Sequence, residues 1–352
     1  MSEDKINKIK KIGMLTGGGD SSGINDFIRT TVILLEKMGM KVRGIKNGYR
    51  GLIEGDFIDL NSRIVDGIKN TGGTYIGTSR TNPYKVEGAI QKISKNIKDE
   101  ELDLLLCVGG NDTLGVANRL YEEEGIKIIG VPQTIDNDLL ETDYSIGFHS
   151  AVENIVNCVN MVMSSAMSHE REMFVEVMGR DSGFLGLNSA IVLGADYLLI
   201  PEFPADIDKL SEFIVRKRKA GKKHGLYIIS EGVQIQGGRH ILDEVDDFGH
   251  KKLGGISYYI SEVVEKKINI KPNVVVLGYT QRGGKPCPYD SYISNIFAKG
   301  VVEDIKEGIF GFMVAVVNEK PKNVRIADAV REVRLVSKED YEFALKIGDV
   351  YE

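Results

Sequence analysis

Apolar runs that stop at glycine recur along this chain, and they constrain its fold more than any other feature. One of them, Leu102 to Gly115, reads LDLLLCVGGNDTLG, so that a run typical of a buried strand ends at a glycine pair. Stretches with helical periodicity lie between such runs, for example Ile24–Lys37, Ser145–Ser168, Ile207–Lys219 and Leu253–Lys267. This alternation predicts an α/β protein with parallel sheets and right-handed crossovers.

Length, glycine content and cysteine spacing limit the protein further. A chain of 352 residues exceeds one typical core, so two domains are expected. Its 40 glycines fall at the ends of apolar runs, which indicates many turns from strand to helix. The 3 cysteines are widely spaced and odd in number, which predicts reduced thiols and a cytoplasmic location.

The charge pattern argues against two classes of partner. A net charge of -6 gives no electrostatic footprint for nucleic acid. The basic stretch VRKRKAGKKH, from Val215 to His224, is interpreted as a solvated face. No apolar run approaches the roughly 18 residues of a membrane helix. We therefore expect neither a nucleic-acid nor a membrane partner.

Ligands of parallel α/β sheets bind at the carboxyl ends of the strands, where this sequence carries its unusual residues. One strand end reads LTGGGDSSGIND, from Leu15 to Asp26. Backbone N–H groups in front of a helix could bind an anion there, and a tight turn with a capping aspartate is an equally good interpretation. The segment matches neither the dinucleotide fingerprint nor the P-loop.

A second strand end combines carboxylates with nearby arginines. PQTIDND, from Pro132 to Asp138, supplies the acids that phosphoryl transfer to an alcohol needs, although a loop that caps the next helix would look similar. Arg80, Arg171, Arg180 and Arg282 lie in or beside such segments and favour an anionic substrate. Aspartate and asparagine beside phosphates suit Mg²⁺ as the cofactor.

These segments together resemble the phosphofructokinase family of sugar-phosphate kinases, of the glycolytic type. The family's motifs occur in order as LTGGGDSSGIN, GTSRTNP, GGNDT, PQTIDND, DYSIGFHSAVE, SHEREMFVEVMGR, SEG and LGYTQRGGKPCPYD. The resemblance implies two Rossmann-like three-layer α/β domains with mostly parallel sheets, the phosphofructokinase fold. Residues 1–147 with about 281–330 would form a larger donor-binding domain, and 148–280 with the C-terminal segment a smaller acceptor-binding domain. A homodimer or homotetramer would share the acceptor site between subunits.

The resemblance also implies roles for individual residues. Asp136 resembles the base that accepts the proton of the acceptor hydroxyl, and Arg180 and Asp112 are the other expected catalytic residues. Asn111 and Asp112 occupy positions of a magnesium site. The donor set is Gly19, Arg80, Gly110, Asp112, Thr113 and Gln133. The acceptor set is Thr134, Asp136, Asp138, Arg171, Met178, Gly179, Arg180, Glu231, Tyr279 and Arg282.

The first departures from the family pattern concern the phosphoryl donor. Users of ATP usually carry glycine at the position of Asp112, and users of pyrophosphate carry aspartate. A fixed negative charge there would repel a nucleotide α-phosphate and leave room for a shorter donor. Users of pyrophosphate usually add a lysine where this chain has Gln133. The donor signature is therefore mixed, with Asp112 and TSRTNP favouring pyrophosphate.

Other departures concern the metal, the acceptor and the effectors. Asn111 replaces an aspartate that contacts magnesium, and Asn273 replaces an arginine that reaches the sugar phosphate from the adjacent subunit, with Lys271 as a possible substitute. Arg29 fits one effector position, but Ile33 follows one turn later, so nucleotide or phosphoenolpyruvate control is not supported.

The predicted function is that of a Mg²⁺-dependent phosphotransferase that converts fructose 6-phosphate to fructose 1,6-bisphosphate with pyrophosphate. One alternative is an ATP-dependent phosphofructokinase, or a kinase of another sugar phosphate such as sedoheptulose 7-phosphate. A catalytically weak regulatory paralogue is the alternative from another class, motivated by Asn111, Gln133 and Asn273.

Overall fold

The computed structural model describes residues 9–236 and 254–350, which divide into two compact units. The first unit comprises the described residues within 9–150 and 282–333, and the second comprises those within 151–236, 254–281 and 334–350. The predicted helix start at Leu253 lies outside the described residues. No helix in the two described ranges is long and apolar enough to span a membrane.

A seven-stranded sheet forms the centre of the first unit. Its strands are β1 (Lys11–Thr16), β2 (Lys41–Ile45), β3 (Phe57–Leu60), β4 (Leu104–Gly109), β5 (Ile128–Pro132), β10 (Phe312–Val317) and β11 (Lys320–Arg325), numbered along the whole chain. Their order across the sheet is β11-β10-β5-β4-β1-β2-β3, and only the pairings of β3 and β11 are antiparallel. The loops after β1, β4 and β5 consequently lie side by side at one edge of the sheet.

Helices cover both faces of this sheet. The helices of the first unit are α1 (Ile24–Lys37), α2 (Gly48–Glu54), α3 (Ser62–Asp66), α4 (Ala89–Asp99), α5 (Asn111–Glu124), the start of α6 (Phe148–Ser168), α10 (Pro288–Glu307) and α11 (Ile326–Ala329). Alternate residues of β4 point to opposite sides: Leu104 and Leu106 contact the core under α1 and α10, and Leu105 contacts the core under α2 and α5. The unit therefore has three layers.

The second unit has its own four-stranded sheet. It consists of β6 (Glu172–Val177), β7 (Tyr197–Leu199), β8 (Gly225–Ser230) and β9 (Asn273–Val276), all parallel in the order β7-β8-β6-β9. Helices α8 (Ile207–Lys219) and α9 (Ile256–Ile268) bury one face, and α7 (Phe184–Leu193) and α12 (Lys338–Gly348) contact β7. The predicted α/β fold with mostly parallel sheets is confirmed.

The sequence patterns located most elements but missed the antiparallel edges. β11 is mostly exposed and rich in charge, so it shows no apolar run. It joins β10 through Asn318 and Glu319, both with positive φ, at 50° and 60°. Positive φ at both central residues is the geometry of a type I′ hairpin, which asparagine followed by glycine usually forms. Glutamate at the second position hides that signal.

The interpretation of Val215–His224 as a solvated face was wrong at Lys217. This side chain is 0% exposed, and its ammonium lies 2.5 Å from Glu172, which is also 0% exposed. Lys217 also donates to the carbonyl of His224 at 2.8 Å, and Tyr227 donates to Glu172 at 2.9 Å. Burial lowers the pKa of Lys217, and the neighbouring carboxylate opposes that shift. A charge in a basic run can thus lie in a core when an acid on an adjacent strand accepts it.

Candidate active site

The glycine turn after β1 is fastened to its neighbours through its own backbone. The N–H of Gly17 donates to the carbonyl of Val108 at 2.9 Å, and the N–H of Gly18 donates to Ser79 at 3.1 Å. Thr78 returns a hydrogen bond to the carbonyl of Gly18 at 2.8 Å. The N–H groups of Gly17 and Gly18 are therefore already used within the protein, which agrees with Gly19 as the predicted backbone contact to a donor.

Thr113 lies beneath this turn, within α5. Its side chain is only 3% exposed and fills the space beside two glycines. A Cβ on Gly17 would lie 2.6 Å from the Thr113 hydroxyl, and a Cβ on Gly109 would lie 2.5 Å from its Cβ. Thr113 is predicted to bind the donor. In the structure its side chain packs the turns after β1 and β4 together.

Gln133, the first residue after β5, supports the same turn from another side. Its side-chain amide donates to the carbonyl of Gly19 and to the hydroxyl of Ser21, both at 3.0 Å, and the residue is 2% exposed. The family lysine that Gln133 replaces would bring a charge here. In this chain the position holds the backbone of the glycine turn with a neutral amide instead.

Arg282 lies on the glycine turn as well. Its guanidinium donates to the carbonyl of Asp20 at 3.1 Å and fills the space that a Cβ on Gly19 would need. Ser22 donates to the carbonyl of Gly284 at 2.8 Å, so the QRGG segment and the start of α1 are joined. Sequence reasoning placed Arg282 in the acceptor set, and the structure brings it beside Gly19, the predicted backbone contact to the donor. Arg80 is exposed next to Ser79.

In the loop after β5, partly exposed residues alternate with buried ones. Thr134, Asp136 and Asp138 are partly exposed, and the residues between them, Ile135 and Asn137, are buried. The hydroxyl of Thr134 accepts the N–H of Asp136 at 3.1 Å. The two carboxylates are thus held on the accessible side of one short segment.

Asn137 fixes this loop, and sequence reasoning did not select it. It has a φ of 52°, and its side chain donates to the carbonyl of Asp143 at 3.1 Å and accepts the N–H of Ser145 at 3.0 Å. Asparagine tolerates this left-handed conformation better than most residues. An asparagine between two acids was therefore a signal of a turn that could have been used.

Asn111 and Asp138 join the loops after β4 and β5. The side-chain nitrogen of Asn111 donates to a carboxylate oxygen of Asp138 at 2.9 Å. Gly110 is the N-cap of α5, and Asp112 lies in its first turn. Several predicted residues, namely Gly19, Gly110, Asn111, Asp112, Thr134, Asp136 and Asp138, consequently share the carboxyl edge of three adjacent strands.

The motifs DYSIGFHSAVE and KPCPYD have a supporting role in the described geometry. Buried Asp290 accepts the N–H groups of Gly147 and Ser150 at 3.1 and 2.6 Å, which starts α6 at Phe148 rather than at the predicted Ser145. Burial raises the pKa of the Asp290 carboxyl. Burial lowers the pKa of His149, which contacts Tyr144 and Tyr289 edge to face, to about 4.

In the second unit, the segments after β6 and β8 are joined by their backbones. The N–H of Glu231 donates to Val177 at 2.8 Å, and the N–H of Gly232 donates to Gly179 at 3.1 Å. Gly179 has a φ of 126°, and a Cβ on Gly232 would overlap the carbonyl of Arg180. Met178, Gly179, Arg180 and Glu231 are thereby brought together.

Gln281 completes this arrangement, and no sequence pattern singled it out. It is 1% exposed, accepts the N–H of Met178 at 3.0 Å and donates to the carbonyl of Gly278 at 3.0 Å. It thus links the MGR segment to the turn that carries Tyr279, whose side chain is 83% exposed. Only the tertiary contact reveals the role of Gln281.

Arg171 lies apart from these predicted acceptor residues. It precedes β6, and Met178 to Arg180 follow that strand, so the strand's length of roughly 20 Å separates them. Asn273 pairs with Met173 at the same amino end of the sheet. Lys271, considered as its substitute, is exposed and pairs with Glu265 at 3.1 Å.

Comparison with known proteins agrees with this geometry. The phosphofructokinase family profile matches residues 11–305. The pyrophosphate–fructose 6-phosphate 1-phosphotransferase of Amycolatopsis methanolica is 39% identical over 95% of this chain and 98% of its own length. An ATP-dependent 6-phosphofructokinase of Mycobacterium bovis is 37% identical over 95% of this chain and 98% of its own length.

A solved structure of a longer protein shares the fold. Phosphofructokinase from Pichia pastoris in the T-state superposes with a TM-score of 0.81 at 28% identity, over 97% of this chain. This chain spans 38% of the length of that protein. Taken with the family profile and the relatives of similar length, these matches establish that the chain belongs to the phosphofructokinase family.

Proposed function

We propose that this protein transfers a phosphoryl group from pyrophosphate to the C1 hydroxyl of fructose 6-phosphate. The observation that carries the choice of donor is Asp112 in the first turn of α5. A helix N-terminus with its backbone N–H groups attracts phosphate, and a carboxylate in the same turn repels a further phosphate. A donor with two phosphates suits that combination better than a nucleotide triphosphate.

In the proposed reaction, Asp136 accepts the proton of the C1 hydroxyl while that oxygen attacks the terminal phosphorus. The bond from that phosphorus to the bridging oxygen breaks, and orthophosphate leaves. The Gly19 backbone, Arg80 and Arg282 would hold the donor, and Arg180 would stabilise the transferring group. Met178, Gly179, Arg180 and Glu231 would bind the sugar, with Thr134 and Asp138 beside the base.

Magnesium fits this set of side chains. Asn111 and Asp112 offer the oxygen ligands that Mg²⁺ prefers, and residues 9–236 and 254–350 contain no group of three or more His, Cys, Asp or Glu that could cage an ion alone. Such a site suits Mg²⁺ completed by substrate phosphates. When bound, the ion would neutralise charge on the phosphates.

The acceptor site would be shared between two copies of this chain. Arg171 lies at the amino end of β6, a strand's length from Met178 to Arg180, so one chain would not bring both to the same small ligand. Arg171 and Tyr279 are exposed and could serve a neighbouring subunit. This supports a homodimer or homotetramer, with donor binding assigned to the first unit and sugar binding to the second.

Steady-state kinetics with purified protein, Mg²⁺ and fructose 6-phosphate would test the donor. We expect a higher kcat/KM with pyrophosphate than with ATP. Asp112→Gly combined with a change at Gln133 should move the ratio toward ATP. A preference of the natural protein for ATP by tenfold or more would reject the interpretation of Asp112.

An ATP-dependent enzyme is the second candidate, favoured by the neutral Gln133 beneath the glycine turn. The same assay with a panel of sugar phosphates would separate fructose 6-phosphate from sedoheptulose 7-phosphate as acceptor. Failure to transfer phosphate from pyrophosphate, ATP or ADP to any of them would favour a regulatory paralogue.

A further inference from the structure

The contact between Asn111 and Asp138 joins a neutral amide to a carboxylate. Asn111 is the first residue of α5, and Asp138 lies in the loop after β5, 27 residues later. The hydrogen-bond donor is a neutral amide nitrogen and the hydrogen-bond acceptor is a carboxylate oxygen, 2.9 Å apart. Hydrogen bonds with one ionised partner are stronger than neutral ones.

Chemistry fixes the orientation of this amide. An ionised carboxylate only accepts hydrogen bonds, whereas an asparagine side chain has one donating and one accepting end. The NH₂ end therefore faces Asp138, and the carbonyl end points away from it. The pair satisfies a carboxylate oxygen with no positive charge between the two side chains.

An acid at position 111 would reverse this situation. Two carboxylate oxygens at the same separation would repel each other unless a proton or a cation lay between them. The asparagine removes that repulsion and also removes one anionic ligand. Without the repulsion, the free protein has less need of a cation between the two side chains. Because affinity for a divalent cation depends on the number of charged ligands, the loss of one anionic ligand also lowers that affinity.

We propose that Asn111 is a positioning residue that orients the Asp138 carboxylate in the metal-free protein. A divalent cation would then bind the free protein weakly. The inference deepens the proposed function and rests on it for the metal site that Asn111 and Asp112 would form. The arrangement of Asn111 and Asp138 itself requires neither donor nor acceptor.

Titration with Mn²⁺ in the absence of substrates, followed by electron paramagnetic resonance, tests the proposal. Asn111→Asp should bind Mn²⁺ about tenfold or more tightly than the natural protein, because it adds an anionic ligand next to Asp138. Its Tm should rise with Mn²⁺, and that of the natural protein should hardly change.

The exchanged variant, Asn111→Asp with Asp138→Asn, is the matched control. It restores one amide and one carboxylate, so its Mn²⁺ affinity should return to that of the natural protein. Asn111→Asp that folds only with Mn²⁺ would also support the proposal. Tight Mn²⁺ binding by the natural protein, equal to that of Asn111→Asp, would overturn it, as would an exchanged variant that keeps the high affinity.

The kinetic test of the phosphoryl donor and the Mn²⁺ titration can reject their proposals independently. Absence of turnover with pyrophosphate would reject the proposed function and leave the Mn²⁺ affinities as they are. Equal Mn²⁺ affinities with normal turnover would reject the role of Asn111 alone.

Discussion

The two units differ in how much side chains support their candidate ligand loops. In the first unit, buried polar side chains add to the backbone bonds of the glycine turn: Gln133 holds that turn, Thr113 packs beneath it, and Asn137 folds the segment with the acids. In the second unit, the backbones of the MGR and SEG segments bond directly to each other, and Gln281 is the main side-chain support.

This difference has a consequence for substitution. A side-chain support can change by mutation while the backbone path stays, so the first unit can vary the chemistry of its proposed donor site at positions such as 133. Backbone contact leaves little freedom, since Gly232 lies against the carbonyl of Arg180. We therefore expect changes in the first unit to alter chemistry or donor preference, and changes in the second to alter acceptor binding and stability together.

The largest effect should come from the proposed base in the first unit. Asp136→Asn should lower kcat by about 10²–10⁴-fold, the usual contribution of general base catalysis, with donor binding nearly unchanged. Stopped-assay kinetics and calorimetric donor titration would measure the two quantities. Asp328→Asn, which removes an exposed carboxylate paired with Arg325, is the control with normal turnover. Near-normal turnover of Asp136→Asn would reject the assignment.

Subunit mixing should show whether the proposed acceptor site of the second unit is formed by one chain or by two. Arg171→Ala and Arg180→Ala should each be nearly inactive. After reversible dissociation, a mixed dimer should have one intact site, so activity should recover to about a quarter of the natural value. Arg180→Ala mixed with Glu231→Gln is the control, because both changes lie on the same side of the site. Equal lack of recovery in both mixtures would place Arg171 in its own chain's site or outside any site.

Replacement of a glycine by alanine should have different effects in the two units. Gly232→Ala forces a backbone shift and should cost about 1–3 kcal/mol of stability, together with a higher KM for the acceptor. Gly19→Ala meets only the flexible end of Arg282, so it should raise the KM for the donor with little loss of stability. Denaturant unfolding and kinetics measure both.

Gly115→Ala is the control for these two substitutions. It lies in α5 where a Cβ meets nothing within 4 Å, and it should not destabilise. Equal destabilisation by Gly19→Ala and Gly232→Ala would contradict the difference between the units.

Local patterns were sufficient for the parts of the fold whose signal is local. The bounds of α1 and α8 agree with the predicted stretches, because apolar periodicity and polar ends coincide there. α9 begins at Ile256, after the positive-φ pair Gly254 and Gly255. Lys217 shows the limit, since its burial depends on Glu172, 45 residues away.

The candidate site shows the same limit. Motif order brought Asp136 and Asp138 into one group, and the structure keeps them on one segment. The place of Arg282 on the glycine turn depends on a contact across 262 residues, and that of Gln281 on a contact across 103. No spacing in the sequence encodes such contacts.

The last expected effect is an acid response that appears only at low pH and is confined to the first unit. His149 has its pKa lowered to about 4 by burial, so it is neutral in the folded protein near neutral pH. The unfolded chain takes up a proton below its usual pKa of about 6.5. The stability is therefore complete above that pH and is lost as the pH falls toward 4, by about 2 kcal/mol after allowance for partial exposure.

His149→Phe should flatten this pH dependence, because phenylalanine can make ring contacts with Tyr144 and Tyr289 without titrating. Hydrogen exchange at pH 7 and pH 4.5 would locate the effect. We expect the acid-induced loss of protection at the start of α6 and in α10 to be smaller in the variant, and β8 to respond alike in both proteins. An equal loss in the variant would assign the acid response to other groups, with buried Asp290 excluded because its raised pKa opposes a loss of stability on acidification.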